Sequence, residues 1–187
     1  MEIALTGASG LIGLHLINYL CNKSHTVFGF GRTNKHPIKN DNFFYFQNNW
    51  NNNKKIKKIL SSRKIDYFIH LAGIQSKQCE QNPSLCFEFN IEKTIEIINI
   101  CKENNVQNFI FPSTIHVYHE SKHLKNLINP NINNSNYRSF KLIMEHLLSS
   151  FAKESKTNFK ILRISNIIAT NKKKELNPKS QLFVNDI

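Results

Sequence analysis

A glycine-rich turn near the start of the chain constrains the fold most strongly. Gly7 and Gly10 stand between a short apolar segment, residues 2–6, and a segment with helical apolar spacing, residues 11–22, whose third residue is Gly13. In a strand-to-helix turn of this kind the first glycine permits the tight turn, the second lets a pyrophosphate approach, and the third allows close helix–strand packing. The N–H groups at the helix N-terminus attract phosphate oxygens. The segment therefore predicts a turn that binds a dinucleotide.

Strand and helix patterns alternate along the rest of the chain. Aromatic and β-branched residues mark further strands at 26–31, 43–47, 66–71, 106–111 and 159–164. Helical apolar spacing marks helices at 53–62, 83–104 and 135–154. Alternation of this kind predicts an α/β fold with a doubly wound parallel sheet. The 187 residues suit one such domain.

The end of the second predicted strand bears on which dinucleotide is bound. An acid there would accept the 2′-hydroxyl of NAD, whereas an arginine favours the additional phosphate of NADP. Arg32 follows this strand, the strand holds no acid, and Lys35 is close behind. We therefore expect NADP(H), with NAD(H) as the alternative. An ordinary surface arginine at the end of a strand would give the same pattern.

A tyrosine and a lysine stand four residues apart on the helix predicted over 135–154. This spacing places Tyr137 and Lys141 on one face, one turn apart. A nearby ammonium favours the phenolate and lowers the phenol pKa from about 10, which suits acid–base catalysis at a carbonyl or alcohol oxygen. Thr114 follows the fifth strand, at the sheet edge where such folds bind ligands, and is expected to hydrogen-bond the same oxygen. Alone, these residues would equally fit a half-buried tyrosine and a strand-capping threonine.

The charge balance does not point to a nucleic-acid partner. With 25 Lys+Arg and 13 Asp+Glu the formal net charge is +12, but most of the cations are lysines, with isolated runs at 54–58 and 172–174. A nucleic-acid surface would combine arginine and aromatic residues on one basic face, so these runs are interpreted as solvated surface. No apolar run approaches the roughly twenty residues that a bilayer requires, and the first residues do not resemble a secretory signal. We expect a cytosolic protein without a membrane partner.

The cysteine and histidine patterns predict neither disulfides nor a metal site. The cysteines form no Cys-x-x-Cys pair and are expected to pack as small apolar side chains. A cluster of three histidines precedes the last predicted helix, where exposed histidines are more common than metal ligands. These residues are Cys21, Cys79, Cys86 and Cys101, and His116, His119 and His123.

Several motifs accompany the glycine turn and the tyrosine–lysine pair in a fixed order. They are Asp66-x-x-x-His70-Leu71-Ala72-Gly73, Asn90-Ile91-x-x-Thr94, Ser113-Thr114-x-x-Val117-Tyr118 and Arg163-x-x-Asn166. In this order and spacing, from residue 1 to about residue 166, the chain resembles the extended short-chain dehydrogenase/reductase family, in its nucleotide-sugar epimerase/dehydratase group.

The resemblance implies a Rossmann-type fold, a bound nicotinamide cofactor and a nucleotide sugar as the small-molecule substrate. It implies that Tyr137 is the acid/base, that Thr114 is its hydroxyl partner, and that Lys141 contacts both Tyr137 and the nicotinamide ribose. Thr114 and Asn166 would contact the substrate. A homodimer through helices 83–104 and 135–154 is suggested in the same way. The other implied cofactor contacts are Gly7, Ser9, Gly10, Leu11, Ile12, Gly13, Arg32, Asn49, Trp50, Leu71, Ala72, Gly73 and Asn90.

Two departures from the family pattern narrow the expected function. Sugar 4,6-dehydratases of the family carry an Asp-Glu pair directly after the threonine. This chain has Ile115-His116 there, which disfavours dehydration and leaves an epimerase or a ketoreductase. We expect a dinucleotide-binding domain at 1–166 and a short remnant of the family's C-terminal substrate lobe at 167–187, with most of that lobe absent. A non-catalytic dinucleotide-binding or sensor protein is the alternative.

Overall fold

A parallel sheet forms the centre of the computed structural model, which describes residues 1–48, 53–118 and 135–167. In this part of the chain the strands are β1 (Glu2–Thr6), β2 (Thr26–Gly31), β3 (Phe43–Gln47), β4 (Tyr67–His70), β5 (Asn108–Thr114) and β6 (Asn158–Ile164). They form one sheet in the order β3-β2-β1-β4-β5-β6, and every neighbouring pair is parallel.

Helices connect the strands and cover both faces of the sheet. The helices are α1 (Leu11–Asn22), α2 (Lys54–Ser62), α3 (Ser76–Gln81), α4 (Pro83–Phe87), α5 (Lys93–Glu103) and α6 (Asn136–Lys153), with a π-helical turn at Glu88–Glu92 and a 3₁₀ turn at Ile115–Val117. Consecutive residues of a strand face opposite sides. Ile3 and Leu5 of β1 pack in one core with Ile17 of α1, whereas Ala4 belongs to a second core that includes residues of α2, α5 and α6.

The order of the strands is one for which a ligand crevice is expected beside β1. The chain runs outward from β1 to β2 and β3, and then returns to the other side of β1 with β4 and β5. Parallel sheets bind ligands outside the carboxyl ends of the strands, at the point where the direction of winding changes. The segments that follow β1, β4 and β5 therefore meet at this crevice.

The predicted doubly wound parallel sheet is confirmed, with differences in three elements. The helix predicted over 83–104 is divided into α4, the π-helical turn and α5. Helix α3 was not predicted, because only Cys79 of its six residues is buried and no apolar stripe marks it. Strand β5 extends to Thr114, since β6 pairs with it up to that residue.

The expectation that the cysteines form no disulfide is wrong for one pair, since Cys79 and Cys86 are bonded. The bend at Asn82 between α3 and α4 brings the two Cα atoms to 4.9 Å, within the range that a disulfide spans. A separation of seven residues in sequence does not reveal this proximity. Cys21 and Cys101 are free and buried, as predicted.

Within the described residues, no group of three or more His, Cys, Asp or Glu side chains is placed to hold a metal ion. His116 is exposed on the 3₁₀ turn, and His119 and His123 lie outside the described residues. Among the helices of the described ranges, none combines the length and apolarity needed to cross a bilayer.

Candidate functional site

The glycine turn after β1 requires glycine at two of its positions. Gly7 has a φ of +70°, a left-handed conformation that favours glycine, and a Cβ there would lie 2.9 Å from the backbone N of Ala72. A Cβ on Gly13 would lie 2.3 Å from the carbonyl oxygen of Gly7. Helix α1 can therefore approach the turn this closely only without a side chain at residue 13. These are the tight turn and the close packing that the spacing predicted.

The N-terminus of α1 fits an anionic group. The helix begins directly after Gly10, with no side-chain cap and no acidic residue in its first turn. Gly10 is exposed, and Leu11 and Ile12 are half-buried. The first N–H groups of a helix have no partner within the helix, and the helix dipole adds partial positive charge there. With the turn shaped by Gly7 and Gly13, these features fit the diphosphate of a dinucleotide.

Hydroxyl groups gather at the carboxyl end of β2, beside the glycine turn. Ser9 Oγ lies 2.8 Å from Thr33 Oγ1, which lies 2.9 Å from the Tyr45 hydroxyl of β3. A Cβ on Gly31, the last residue of β2, would lie 2.8 Å from Ser9 Oγ and 2.9 Å from the Tyr45 hydroxyl. An acidic side chain therefore has little room at this position, and the exposed Arg32 follows it. The preference for NADP(H) over NAD(H) stays a prediction.

The loop after β4 is held against the glycine turn. The backbone N of Ala72 donates to Thr6 Oγ1 at 3.2 Å. The buried side chain of Asn90 binds both backbone groups of Ile74: Oδ1 accepts from its N at 2.7 Å, and Nδ2 donates to its carbonyl oxygen at 3.0 Å. The structure thus brings residues 71–73 to the crevice, whereas the amide of Asn90 holds the loop that carries them.

His70, the last residue of β4, is a buried link between β1 and α5. Its Nδ1 lies 2.9 Å from Thr6 Oγ1, and its Nε2 lies 3.2 Å from Thr94 Oγ1. Burial, helped by the charge of Lys141, lowers the pKa of His70 to about 3. A neutral imidazole donates from one nitrogen and accepts at the other, so it can bridge the two hydroxyl groups beside the crevice.

Helix α6 carries Tyr137 and Lys141 against the carboxyl end of β5. Lys141 Nζ donates to the carbonyl oxygen of Pro112 at 2.8 Å. The same atom lies 4.5 Å from the centre of the Phe111 ring and 5.8 Å from the centre of the Tyr137 ring. The tyrosine and the lysine therefore lie close together, as predicted, and the lysine is hydrogen-bonded to β5, the strand that ends at Thr114.

The pKa of the tyrosine differs from the expectation. Burial raises the pKa of Tyr137 above its ordinary value, so the prediction that Lys141 lowers this pKa is wrong. The spacing of the two residues reports the positive charge but not the cost of removing a phenolate from water. Burial also lowers the pKa of Lys141 to about 8, against the opposing effect of Glu145.

The remaining predicted residues have separate locations. Thr114 is buried at the end of β5, and its Oγ1 accepts from the backbone N–H two residues later at 3.2 Å. Asn166 is exposed two residues after β6. Asn49 and Trp50 lie outside the described residues, as do residues 168–187 of the predicted lobe remnant. The substrate contacts of Thr114 and Asn166 stay predictions.

A charged network that the sequence interpretation missed joins α6 to the sheet. Glu145, one turn after Lys141, accepts from Ser113 Oγ and from the guanidinium of Arg163. The hydrogen bonds to Glu145 raise the pKa of Arg163 above its ordinary value. One signal was available in the sequence, since Tyr137, Lys141 and Glu145 recur every four residues on one helix face.

Comparison with known proteins shows the family of the chain. The model of the NAD dependent epimerase/dehydratase family matches residues 3–186. The chain belongs to this family. The resemblance seen in the motifs is therefore confirmed, and the family's description names a nicotinamide dinucleotide, the class of cofactor that the glycine turn predicted.

Curated relatives of this epimerase/dehydratase family member include a dehydratase and an epimerase. A dTDP-D-glucose 4,6-dehydratase from Dictyostelium discoideum is 28% identical over 196 residues, covering 89% of this chain and 44% of the relative. A UDP-glucose 4-epimerase from Caenorhabditis elegans is 27% identical over 195 residues, covering 92% of this chain and 56% of the relative. The chain thus spans about half the length of these relatives.

Solved structures of epimerases share the fold. The UDP-glucose 4-epimerase of Thermus thermophilus, in complex with NAD, gives a TM-score of 0.77 at 20% identity, covering 87% of this chain and 54% of that one. Another UDP-glucose 4-epimerase gives a TM-score of 0.80 at 20% identity, covering 91% of this chain and 53% of that one. At this identity the likeness concerns the fold, and it confirms the expected Rossmann-type architecture.

Proposed function

We propose that this family member transfers hydride between a nicotinamide dinucleotide and a ring carbon of a nucleotide sugar, as an epimerase or a ketoreductase. The observation that most supports this proposal is the position of the Lys141 ammonium. It donates a hydrogen bond to the Pro112 carbonyl and lies beside the Tyr137 ring. In the proposed enzyme Tyr137 exchanges a proton with the substrate, and Lys141 and Thr114 assist it.

The residues around the crevice would hold the dinucleotide along its length. The glycine turn and the first N–H groups of α1 would bind the diphosphate. Arg32 would bind the additional phosphate of NADP(H). This assignment is supported by Gly31, where there is little room for the acidic side chain that would favour NAD(H). Residues 71–73 and Lys141 would contact the nicotinamide half.

When bound, the nicotinamide ring accepts or donates the hydride. In the oxidation of a ring alcohol, the hydroxyl proton would pass to the phenolate oxygen of Tyr137 as the ring carbon gives up its hydride, and a ketone would remain. In the opposite direction Tyr137 returns the proton to the ketone oxygen. Thr114 hydrogen-bonds that oxygen, and the ammonium of Lys141 stabilises the phenolate that forms.

An epimerase and a ketoreductase differ in the fate of the hydride. An epimerase returns it to the opposite face of the ketone, so the dinucleotide is regenerated. A ketoreductase uses one reduced dinucleotide for each alcohol formed. Arg32 supports the ketoreductase slightly, because cells keep NADP largely reduced. The Ile115-His116 pair, in place of two acids, argues against dehydration.

Ligand binding and turnover by the purified chain test this proposal. The chain would be titrated with NADPH and NADH by nicotinamide fluorescence. Loaded with NADP⁺ or NAD⁺, it would then be mixed with UDP-glucose, dTDP-glucose and related nucleotide sugars, while transient nicotinamide reduction within one turnover and formation of the epimeric sugar are both followed. We expect saturable binding, tighter for NADPH, and transient reduction or an epimeric product with at least one sugar. Binding without either signal would instead favour the non-catalytic alternative, and absence of binding would contradict the proposal entirely.

A further inference from the structure

We propose that Glu80 is a positioning residue for Tyr137: it holds the first turn of α6 and so fixes where the phenol lies. This inference rests on the proposed function. Glu80 belongs to α3, the helix that was not predicted, and it is 57 residues from Tyr137 in sequence.

Both carboxylate oxygens of Glu80 bind the beginning of α6. Oε1 accepts from Ser135 Oγ at 2.7 Å and from the backbone N of Tyr137 at 3.3 Å. Oε2 accepts from the backbone N and from the side-chain amide of Asn136, both at 3.1 Å. Ser135, the N-cap residue, accepts in turn from the backbone N of Arg138 at 3.4 Å. The first three N–H groups of the helix are therefore bound.

These contacts supply what a helix start requires. The first N–H groups of a helix lack partners within it, and the dipole places partial positive charge there, so a carboxylate stabilises this end. Burial alone would raise the pKa of Glu80, but the hydrogen bonds from residues 135–137 outweigh it and the pKa lies below its ordinary value. Glu80 therefore keeps its charge at neutral pH.

Tyr137 depends on this turn more than Lys141 does. Tyr137 is the second residue of α6, and the ends of helices open before their interiors. Lys141 lies one turn further on, where the Pro112 carbonyl holds its ammonium. Loosening the first turn would therefore displace the phenol and leave the ammonium in place. Hydride transfer should suffer more than dinucleotide binding.

Other contacts keep α6 on the domain when Glu80 is changed. The ring of Phe140 packs edge-on against Phe87 of α4, with ring centres 5.9 Å apart. Glu145 and Arg163 join the middle of the helix to β6. Because these contacts lie beyond the first turn, variants at Glu80 are expected to fold.

The test compares Glu80→Gln and Glu80→Ala with Glu154→Gln, a control that removes the same charge at the other end of α6. Single-turnover hydride transfer to NADP⁺ from UDP-glucose, or from another sugar active with the wild type, would be measured together with the Kd for NADPH. We expect hydride transfer to fall roughly 10- to 100-fold in both Glu80 variants, with the Kd nearly unchanged. Glu80→Asp, which keeps the carboxylate, should restore part of the rate, and Glu154→Gln should match the wild type.

Amide hydrogen exchange gives a second readout that does not depend on turnover. The amides of residues 136 and 137 should exchange faster in Glu80→Ala, with the rest of α6 unchanged. Unchanged hydride transfer in the Glu80 variants, or an equal loss of binding and transfer, would overturn the proposal. A wild-type chain that transfers no hydride would contradict the proposed function alone. Without hydride transfer in the wild type, the role of Glu80 would be tested by amide exchange alone. Unchanged exchange at residues 136 and 137 in Glu80→Ala would overturn that role.

Discussion

Arg163 on β6 forms a bidentate ion pair with Glu145 on α6: its Nε lies 3.1 Å from both carboxylate oxygens, and its Nη2 lies 2.6 Å from one of them. The side chain of Glu145 is 8% exposed and that of Arg163 is 27% exposed. Ser113 of β5 donates to the same carboxylate. A buried carboxylate needs such partners to stay charged. The network therefore fastens α6, with Tyr137 and Lys141, to the carboxyl end of the sheet.

Breaking this pair should destabilise the fold. Arg163→Met would leave the Glu145 carboxylate buried without its cation, and we expect the free energy of unfolding to fall by about 3 kcal/mol. Urea unfolding measures the change. Lys57→Met is the control, because it breaks the pair with Glu103 in which both side chains are more than half exposed, and it should cost less than about 1 kcal/mol. Equal losses in the two variants would contradict this prediction.

Acid should weaken the fold through His70. Its pKa is about 3 in the folded protein, against 6.5 ordinarily. Between these values the unfolded chain binds more protons than the folded one. The free energy of unfolding therefore falls as the pH drops below 6.5, by about 1.4 kcal/mol per pH unit from this group. Urea unfolding at several pH values should show a shallower dependence in His70→Gln and the wild-type dependence in the exposed control His15→Gln. If the free energy of unfolding of His70→Gln depends on pH as steeply as that of the wild type, His70 is not the group responsible.

Dinucleotide binding should weaken at alkaline pH because of Lys141. Its pKa of about 8 means that the free protein loses the ammonium charge as the pH rises through that value. We expect the Kd for NADPH to rise about tenfold from neutral to alkaline pH, the value of one charge-assisted hydrogen bond. Lys141→Met should bind weakly without this rise, and the control Lys153→Met, at the exposed end of α6, should behave as the wild type. A wild-type Kd that is constant with pH would refute the role of Lys141.

Arg32 should decide between the two dinucleotides. Arg32→Ala removes the cation expected to bind the additional phosphate, so the Kd for NADPH should rise about tenfold while the Kd for NADH stays nearly the same. Fluorescence titration with both dinucleotides measures this. Lys39→Ala, an exposed cation before β3, is the matched control. Equal weakening for NADPH and NADH would show that Arg32 does not read the phosphate.

The sheet and the glycine turn could be predicted because local patterns specify them. Gly7 and Gly13 follow a buried strand at the spacing that a tight turn and close helix packing require. Tyr137 and Lys141 share a face because a helix repeats about every four residues. Each of these inferences needs only neighbouring residues.

Other parts of the site depend on contacts that are distant in sequence. The hydrogen bonds of Glu80 span 55 to 57 residues, and Arg163 lies 18 residues from Glu145. Helix α3 has too few apolar residues to reveal itself. The raised pKa of Tyr137 depends on how deeply the fold buries the phenol, which spacing does not report.

The variant Tyr137→Phe shows whether the hydroxyl of Tyr137 exchanges the proton during hydride transfer. The phenylalanine keeps the ring beside Lys141 and removes only the hydroxyl. The Kd for NADPH and the single-turnover rate of hydride transfer would be measured on the same preparation. We expect the rate to fall at least about 100-fold with the Kd unchanged. A variant that transfers hydride at the wild-type rate would show that Tyr137 is not the acid/base.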